Sequence, residues 1–234
     1  MVSMMSWVKK LFAALCFVNA LMASSLNDKV KQGHAGDFIV TEQEGHVTLL
    51  VISSLDQKRL VLEEISIPAL QMDLKKIKWQ EWISKKAPGH TSWIRYTIDL
   101  DQGKLIHAFS LSQKADISNS QDLLLAKLLL LPLNKVSTSE RKKIGICQGD
   151  EADNRSVWSP PLIVNGKRIK PATFDVFKIR WPSDGSPLAG SPIELYFATP
   201  LPSFPFPFWI EVQSPHYTFK WRVIDSGSEL VTVH

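Results

Sequence analysis

Short runs in which apolar and polar residues alternate dominate this chain, the period of a strand with one buried face. Residues 37–43, 47–53 and 59–67 are three such runs, separated by Glu44-Gly45 and by the polar stretch 53–57. They predict an antiparallel meander that Pro68 closes. Residues 92–99 and 104–112 predict a hairpin turning at 100–103, with Trp93, Arg95 and Thr97 on one face and Ile94, Tyr96 and Ile98 on the other. Asn165-Gly166, between 162–164 and 167–169, favours the type I′ turn of a tight hairpin. Residues 174–181 set Phe174, Val176, Lys178 and Arg180 against Asp175, Phe177, Ile179 and Trp181, and residues 193–198 and 209–213 keep the same period. A last hairpin is expected from 217–225 and 229–234 around Ser226-Gly227-Ser228.

Helical periodicity is rarer. Trp79, Trp82 and Ile83 share one face of a short helix over 79–86, stopped by Pro88-Gly89, which reads as a lid on a sheet. Ser120 is placed to cap a helix over 121–131 whose leucines go almost all the way round, so this helix must be buried on most sides. Ser137 and Glu140 have capping-box spacing for a short basic helix through Lys143, ended by Gly145. About ten short strands and about three helices predict an α+β fold built on a curved, mostly antiparallel sheet.

The stretch 181–212 organises the rest. Pro200, Pro202, Pro205 and Pro207 forbid a helix or a central strand between the two runs it contains, and Phe204, Phe206 and Phe208 alternate with the last of them. This stiff apolar loop either folds back as a plug over the end of the sheet or presents its rings to a ligand, a lipid or another protein.

Residues 1–10 carry Lys9 and Lys10 and no acid, and 11–23 are apolar apart from Asn19, the composition of an export signal cleaved after Ala20 or Ala23. Cys16 follows Leu15, where a lipid-attachment site wants a small residue, which argues against a lipoprotein anchor. A signal peptide over 1–23 leaves one exported domain over 24–234, with lobes 24–145 and 162–234 joined by a polar loop as its internal division. The longest later apolar run, 123–133, is interrupted by Lys127 and Pro132 and falls short of a membrane span, so no transmembrane segment is expected after cleavage. The formal net charge is +4. Removing Lys9 and Lys10 brings it to about +2, too little to attract nucleic acid strongly. The expected compartment lies beyond the inner membrane, periplasmic or secreted.

Candidate chemistry is thin. Cys147 is the one thiol outside the leader, so neither an internal disulfide nor a cysteine metal cluster is available. The serines of 185–190 miss the G-x-S-x-G elbow, and Asp150, Glu151 and Asp153 miss the calcium-loop pattern. His34, His46, His90, His107, His216 and His234 have no metal-ligand spacing. No metal, cofactor or catalytic residue is assigned on these grounds, and the balance lies against an enzyme. Two catalytic alternatives remain: Glu194 with Glu211 as paired carboxylates on neighbouring strands, and Cys147 as a nucleophile with a histidine folded beside it. Arg141, Lys142 and Lys143 suit an anionic headgroup or, more simply, a solvated face.

Five segments, 89–99, 143–145, 158–169, 181–197 and 204–212, resemble an uncharacterised family of exported proteins from intracellular Gram-negative bacteria. The resemblance spans most of the chain beyond the leader and implies no activity. In outline, an exported domain with a curved sheet and buried helices is also similar to periplasmic lipoprotein carriers, a likeness of fold alone. The expectation is a non-enzymatic exported binding module, periplasmic or envelope-associated, that uses Phe204, Phe206, Phe208 and Trp209 to hold an apolar small molecule or lipid, or an envelope protein. The alternatives are an exported hydrolase using Glu194/Glu211 or Cys147, and a secreted effector acting on a host.

Overall fold

A computed structural model describes residues 24–74, 76–117, 124–146, 153–186, 188–214 and 218–233. The first meander forms β1 (Phe38–Gln43), β2 (His46–Leu55) and β3 (Arg59–Pro68), and β4 (Ser92–Asp99), β5 (Lys104–Ser110) and the short β6 (Ala115–Asp116) continue it. After the two-residue β7 (Asn134–Lys135), β8 (Leu162–Val164) and β9 (Lys167–Ile169) make a separate hairpin. A second meander follows in β10 (Phe174–Arg180), β11 (Pro192–Ala198), β12 (Trp209–Gln213) and β13 (Thr218–Gly227). Three helices are described: α1 (Leu26–Val30), α2 (Trp79–Ser84) and α3 (Leu124–Leu129).

The two meanders are one sheet. Its order is β6-β5-β4-β3-β2-β1-β13-β12-β11-β10-β7, antiparallel at every pairing, with different strands at its two edges. This is the β-rich α+β fold that the alternation predicts. The join is β1 with β13, in register from Phe38 opposite Gly227 to Val40 opposite Asp225, then skipping Ile224 to set Thr41 opposite Val223. Such a bulge sharpens twist and bends the strand. Gly227 is required at the join, because a Cβ there would lie 2.6 Å from the Phe38 ring and collide with the Asn165 side chain.

Turn chemistry follows the sequence closely. Glu44 and Gly45 adopt φ of 50° and 76°, and Asn165 and Gly166 adopt 50° and 71°, the left-handed pair that a type I′ hairpin turn needs. The last hairpin does not form. Residues 218–227 make one long strand shared by both meanders, and the tail runs across to Gly36, which accepts from Leu230 N at 3.0 Å, and to Gln80, bonded to Val231 in both directions. A strand that completes two ladders is worth more than an edge hairpin with one. The expected basic helix through Lys143 is also shorter: the Ser137–Glu140 capping box is present, but it closes only a 3₁₀ turn over Thr138–Glu140. Of the helix expected over 121–131, the described part is α3, in which Leu128 and Leu129 are buried.

Alternation gives the sheet two apolar faces. On the outer face, Val40, Val47, Leu49, Val51, Ile65 and Ile67 meet Trp79, Trp82 and Ile83, the predicted face of α2. On the inner face, Ile39, Ile52, Leu60, Leu62 and Ile98 share a larger core with Ile193, Leu195, Ile210 and Val212 of the second meander and with α1 and α3.

Glu63 is fully buried on the outer side of β3. It accepts from Trp93 Nε1 at 2.9 Å and pairs with the Arg95 guanidinium at 3.1 Å, so its charge is neutralised on site. Removing one member of a buried pair strands the other. Arg95→Ala is therefore expected to destabilise the fold by about 3 kcal/mol in urea unfolding, and a loss below about 1 kcal/mol would contradict this role for Arg95.

Candidate functional site

Six neighbouring strands and both inner helices line an apolar cavity of about 240 Å³ that is open to solvent on one side. Its wall runs along the sheet from Leu62 and Glu64 of β3 through Leu50 of β2 and Gln43 of β1, then to Phe219 and Trp221 of β13, Ile210 of β12 and Leu195 of β11. In a flat sheet β3 and β11, five steps apart, would stand roughly 24 Å from each other at about 4.8 Å per step. That they line one small cavity means the sheet is strongly bent around it.

Helices and loop close the top. Leu26 of α1, Leu128 of α3, Phe206 and Pro207 complete the lining. Ser25 and Asp28 cap α1 reciprocally, with Ser25 N donating to Asp28 Oδ2 at 2.7 Å and Asp28 N to Ser25 Oγ at 3.2 Å. Asn27 Nδ2 ties this helix to Leu100 O at 2.7 Å, and Leu133 N donates to Ser24 O at 2.7 Å. The sequence reading missed α1, although Ser25 and Asp28 carry its capping-box spacing.

The proline-rich loop packs as a plug. Phe204, Phe206 and Phe208 are all buried; Phe204 packs against both of the others, and Phe208 also meets Phe174 edge-on at 6.1 Å. Pro205 sits so close to Gly33, after α1, that a Cβ there would stand 2.7 Å from its Cγ. Of the four residues picked out from the sequence, Phe206 lines the cavity, Phe204 and Phe208 hold the loop in the core, and Trp209 faces the other way, against Trp158 at 5.1 Å.

Among the described residues, Glu64 is the one charged side chain on the cavity wall. Its neighbour Glu63 points to the opposite face and is paired there, whereas no described group donates to Glu64 or pairs with it. Burial alone pushes the Glu64 carboxyl above its ordinary range, and its charge in turn helps burial to raise the Tyr96 phenol, on the next strand. A half-buried carboxyl with no described partner on a largely apolar wall is the feature that sequence reasoning did not single out. The signal was there: Glu64 falls at an inward position between Leu62 and Ser66 in an otherwise apolar alternation.

The other sequence candidates come together differently. Glu194 and Glu211 stand directly opposite each other on β11 and β12, inside a cross-strand row of Lys178, Glu194, Glu211 and Lys220. Glu194 pairs with Lys178 at 3.4 Å and accepts from the Tyr196 hydroxyl at 3.1 Å; Glu211 is buried, with Lys142 at 3.6 Å and Trp209 Nε1 at 3.4 Å. Neither has a histidine among its described partners, and Cys147, His216 and His234 lie outside the described residues. The basic run is also spoken for: Arg141 donates to Phe174 O at 2.8 Å, Lys142 sits 5.2 Å over the Trp158 ring, and Lys143 pairs with Asp153 at 3.2 Å. Among the described residues no three His, Cys, Asp or Glu side chains converge to hold a metal, and no helix is long and apolar enough to cross a membrane.

A second, more polar cleft of about 540 Å³ opens on the outer face between the segment before α2 and the β8–β9 turn. Asp225 at its floor is saturated by Trp79 Nε1 at 2.8 Å, Gly166 N at 2.9 Å and Ser226 N at 2.9 Å. Those bonds stitch three elements together, a structural use for the carboxylate.

The family described as CT021 protein matches residues 48–170, and the chain belongs to it. The hypothetical protein CT021 from Chlamydia trachomatis, solved at 2.0 Å resolution, superimposes with a TM-score of 0.65 over 90% of this chain and 96% of that one. Identity is 18%, so the likeness is one of fold. No curated protein matches the chain. The resemblance drawn from the sequence motifs thus holds at the level of an uncharacterised family and an intracellular Gram-negative bacterium.

Because burial makes Glu64 hold its proton to higher pH in the folded chain than in the unfolded one, the folded state binds more protons above the ordinary carboxyl range. The Glu64 contribution to stability is therefore fully present below about pH 4 and is lost as pH rises through the raised value. Glu64→Gln is expected to raise the Tm relative to the parent at pH 7, with the gap narrowing below about pH 4. Thermal melts at both pH values check this; a gap that is absent at pH 7, or wider in acid, would contradict it.

Proposed function

We propose that this member of the CT021 family is a non-enzymatic exported binding module that holds an apolar ligand in the cavity between the bent sheet, α1, α3 and the proline-rich loop. The observation that carries the reading is the cavity itself: about 240 Å³, walled by leucine, isoleucine and aromatic side chains and backed by a stiff loop that fixes its shape. Apolar cavities of about 150 Å³ already take benzene, and this one has room for a larger ring or a short alkyl chain. Ligand sites are typically apolar concavities with few polar groups, and here the polar lining is Glu64 and Gln43.

Export is supported by the leader-like composition of residues 1–23, and a periplasmic or envelope setting follows from that reading. The absence of catalysis rests on how the candidate groups are used. Glu194 and Glu211 sit side by side in a row flanked by Lys178 and Lys220, and each pairs with a lysine, Lys178 or Lys142, which accounts for them without a reaction. Phe204 and Phe208 serve the site by holding the loop, and Phe206 by touching the ligand.

Naphthalene, a neutral ring system, isolates the cavity from any charge effect. Titrating it into isotopically labelled protein is expected to shift the methyl resonances of Leu62, Leu195 and Ile210, and Leu50→Phe, which fills a half-buried wall position, is expected to weaken binding by about tenfold. Unmoved methyl resonances at saturating naphthalene would refute the reading.

A further inference from the structure

An apolar cavity that served only to take hydrocarbon would gain nothing from a carboxyl on its wall. Glu64 stands there with neither ion-pair nor hydrogen-bond partner among the described residues, in contrast to Glu63 one position earlier, whose carboxylate is met by Trp93 and Arg95. Three aromatic side chains, Phe206, Phe219 and Trp221, line the same space. Trp221 leads along β13 from Phe219, and both project to the cavity side of the strand. A carboxylate and aromatic rings lining one space is the chemistry that recognises an organic cation: the rings offer their negative faces and the carboxylate supplies the counter-charge.

Resting on the binding reading above, we propose that the cavity selects amphiphiles by charge, admitting those with a cationic amine head and rejecting anionic ones. The amine would lie between Glu64 and the Trp221 ring, with its apolar tail along Leu62, Leu195 and Ile210. A bound amine supplies the partner that the empty cavity does not offer Glu64. An anionic head meets the opposite situation, a like charge on a wall with no cation to offset it. Selection therefore arises from repulsion of the wrong ligand as much as from attraction of the right one.

The other charged groups of the inner side are engaged elsewhere. Lys29 of α1 lies 5.7 Å over the Phe197 ring, and Lys127 of α3 pairs with Asp184 at 3.1 Å. Arg222 and Lys220 of β13 alternate with Phe219 and Trp221 and so project to the opposite face. On the strand next to Glu64, Tyr96 is the titratable neighbour, and it stays neutral because burial and Glu64 both raise its phenol.

Calorimetric titration at pH 7.5 with octylamine, 1-octanol and octanoate, each below its aggregation threshold, separates head charge from chain. Octylamine is expected to bind the parent about tenfold more tightly than octanol and octanoate more weakly than either. In Glu64→Gln the amine is expected to lose that advantage and octanoate to gain. Trp221→Leu, a second variant, is expected to weaken octylamine more than octanol. If the amine-to-alcohol ratio is the same in the parent and Glu64→Gln, or if octanoate matches octylamine in the parent, the charge selection is overturned while the cavity reading stands. If none of the three binds either protein, both are overturned.

Discussion

The ladder between β1 and β13 is the constraint on which the rest of the structure depends. Each meander alone is a short antiparallel sheet with an open edge and half of an apolar inner face. Joined at residues 38–41 and 223–227 they become a single sheet, and the bulge at Ile224 bends it at the join. Only then do Leu62 of β3 and Leu195 of β11 reach the same cavity, and only then do α1 and α3 have a concave surface to cover. Each buried leucine or isoleucine that the join brings inside contributes roughly 2 kcal/mol, so a pairing of a few residues commits a much larger apolar area. The sheet ends in two-residue strands, β6 and β7, which leave little open ladder for edge-to-edge association.

Charge is placed with the same economy on the two faces. Where a carboxylate serves the fold, it is matched: Glu63 with Arg95 and Trp93, Asp225 with three donors, and Glu194 and Glu211 in a row between lysines. Asp184 and Asp153 are likewise held well below the usual carboxylate range, Asp184 by Ser186 first and Lys127, Asp153 by Arg155 first and Lys143. Among the described carboxylates Glu64 alone is shifted upward, by burial. The exception falls on the wall of the one apolar cavity that both meanders build, which is why that carboxyl, and not the cross-strand pair, marks the site.

Most of the fold was legible because alternation is a local signal. Trp93, Arg95 and Thr97 against Ile94, Tyr96 and Ile98 separated the two faces of β4, and Asn165-Gly166 announced its hairpin by φ preference alone. The failures are mostly non-local. The 229–234 run reads as a strand, but pairing at a distance decided that β13 should extend and the tail should cross to Gly36 and Gln80. α1 was missed because five residues give too short a window for helical period. At the site, Phe206 was found from composition, while Glu64 went unread because an inward-facing acid looks like any other strand residue until the opposing wall, 131 positions later at Leu195, is in place.

The dependence on one ladder is open to hydrogen exchange. Under conditions where exchange reports equilibrium opening, the amides of the Val40–Asp225 and Phe38–Gly227 pairs should exchange with the same free energy as the centres of β3 and β11, since breaking the join dissolves the cavity and the inner core together. Fast exchange at the join with full protection retained in both meanders would show two lobes that fold independently, and would contradict the account.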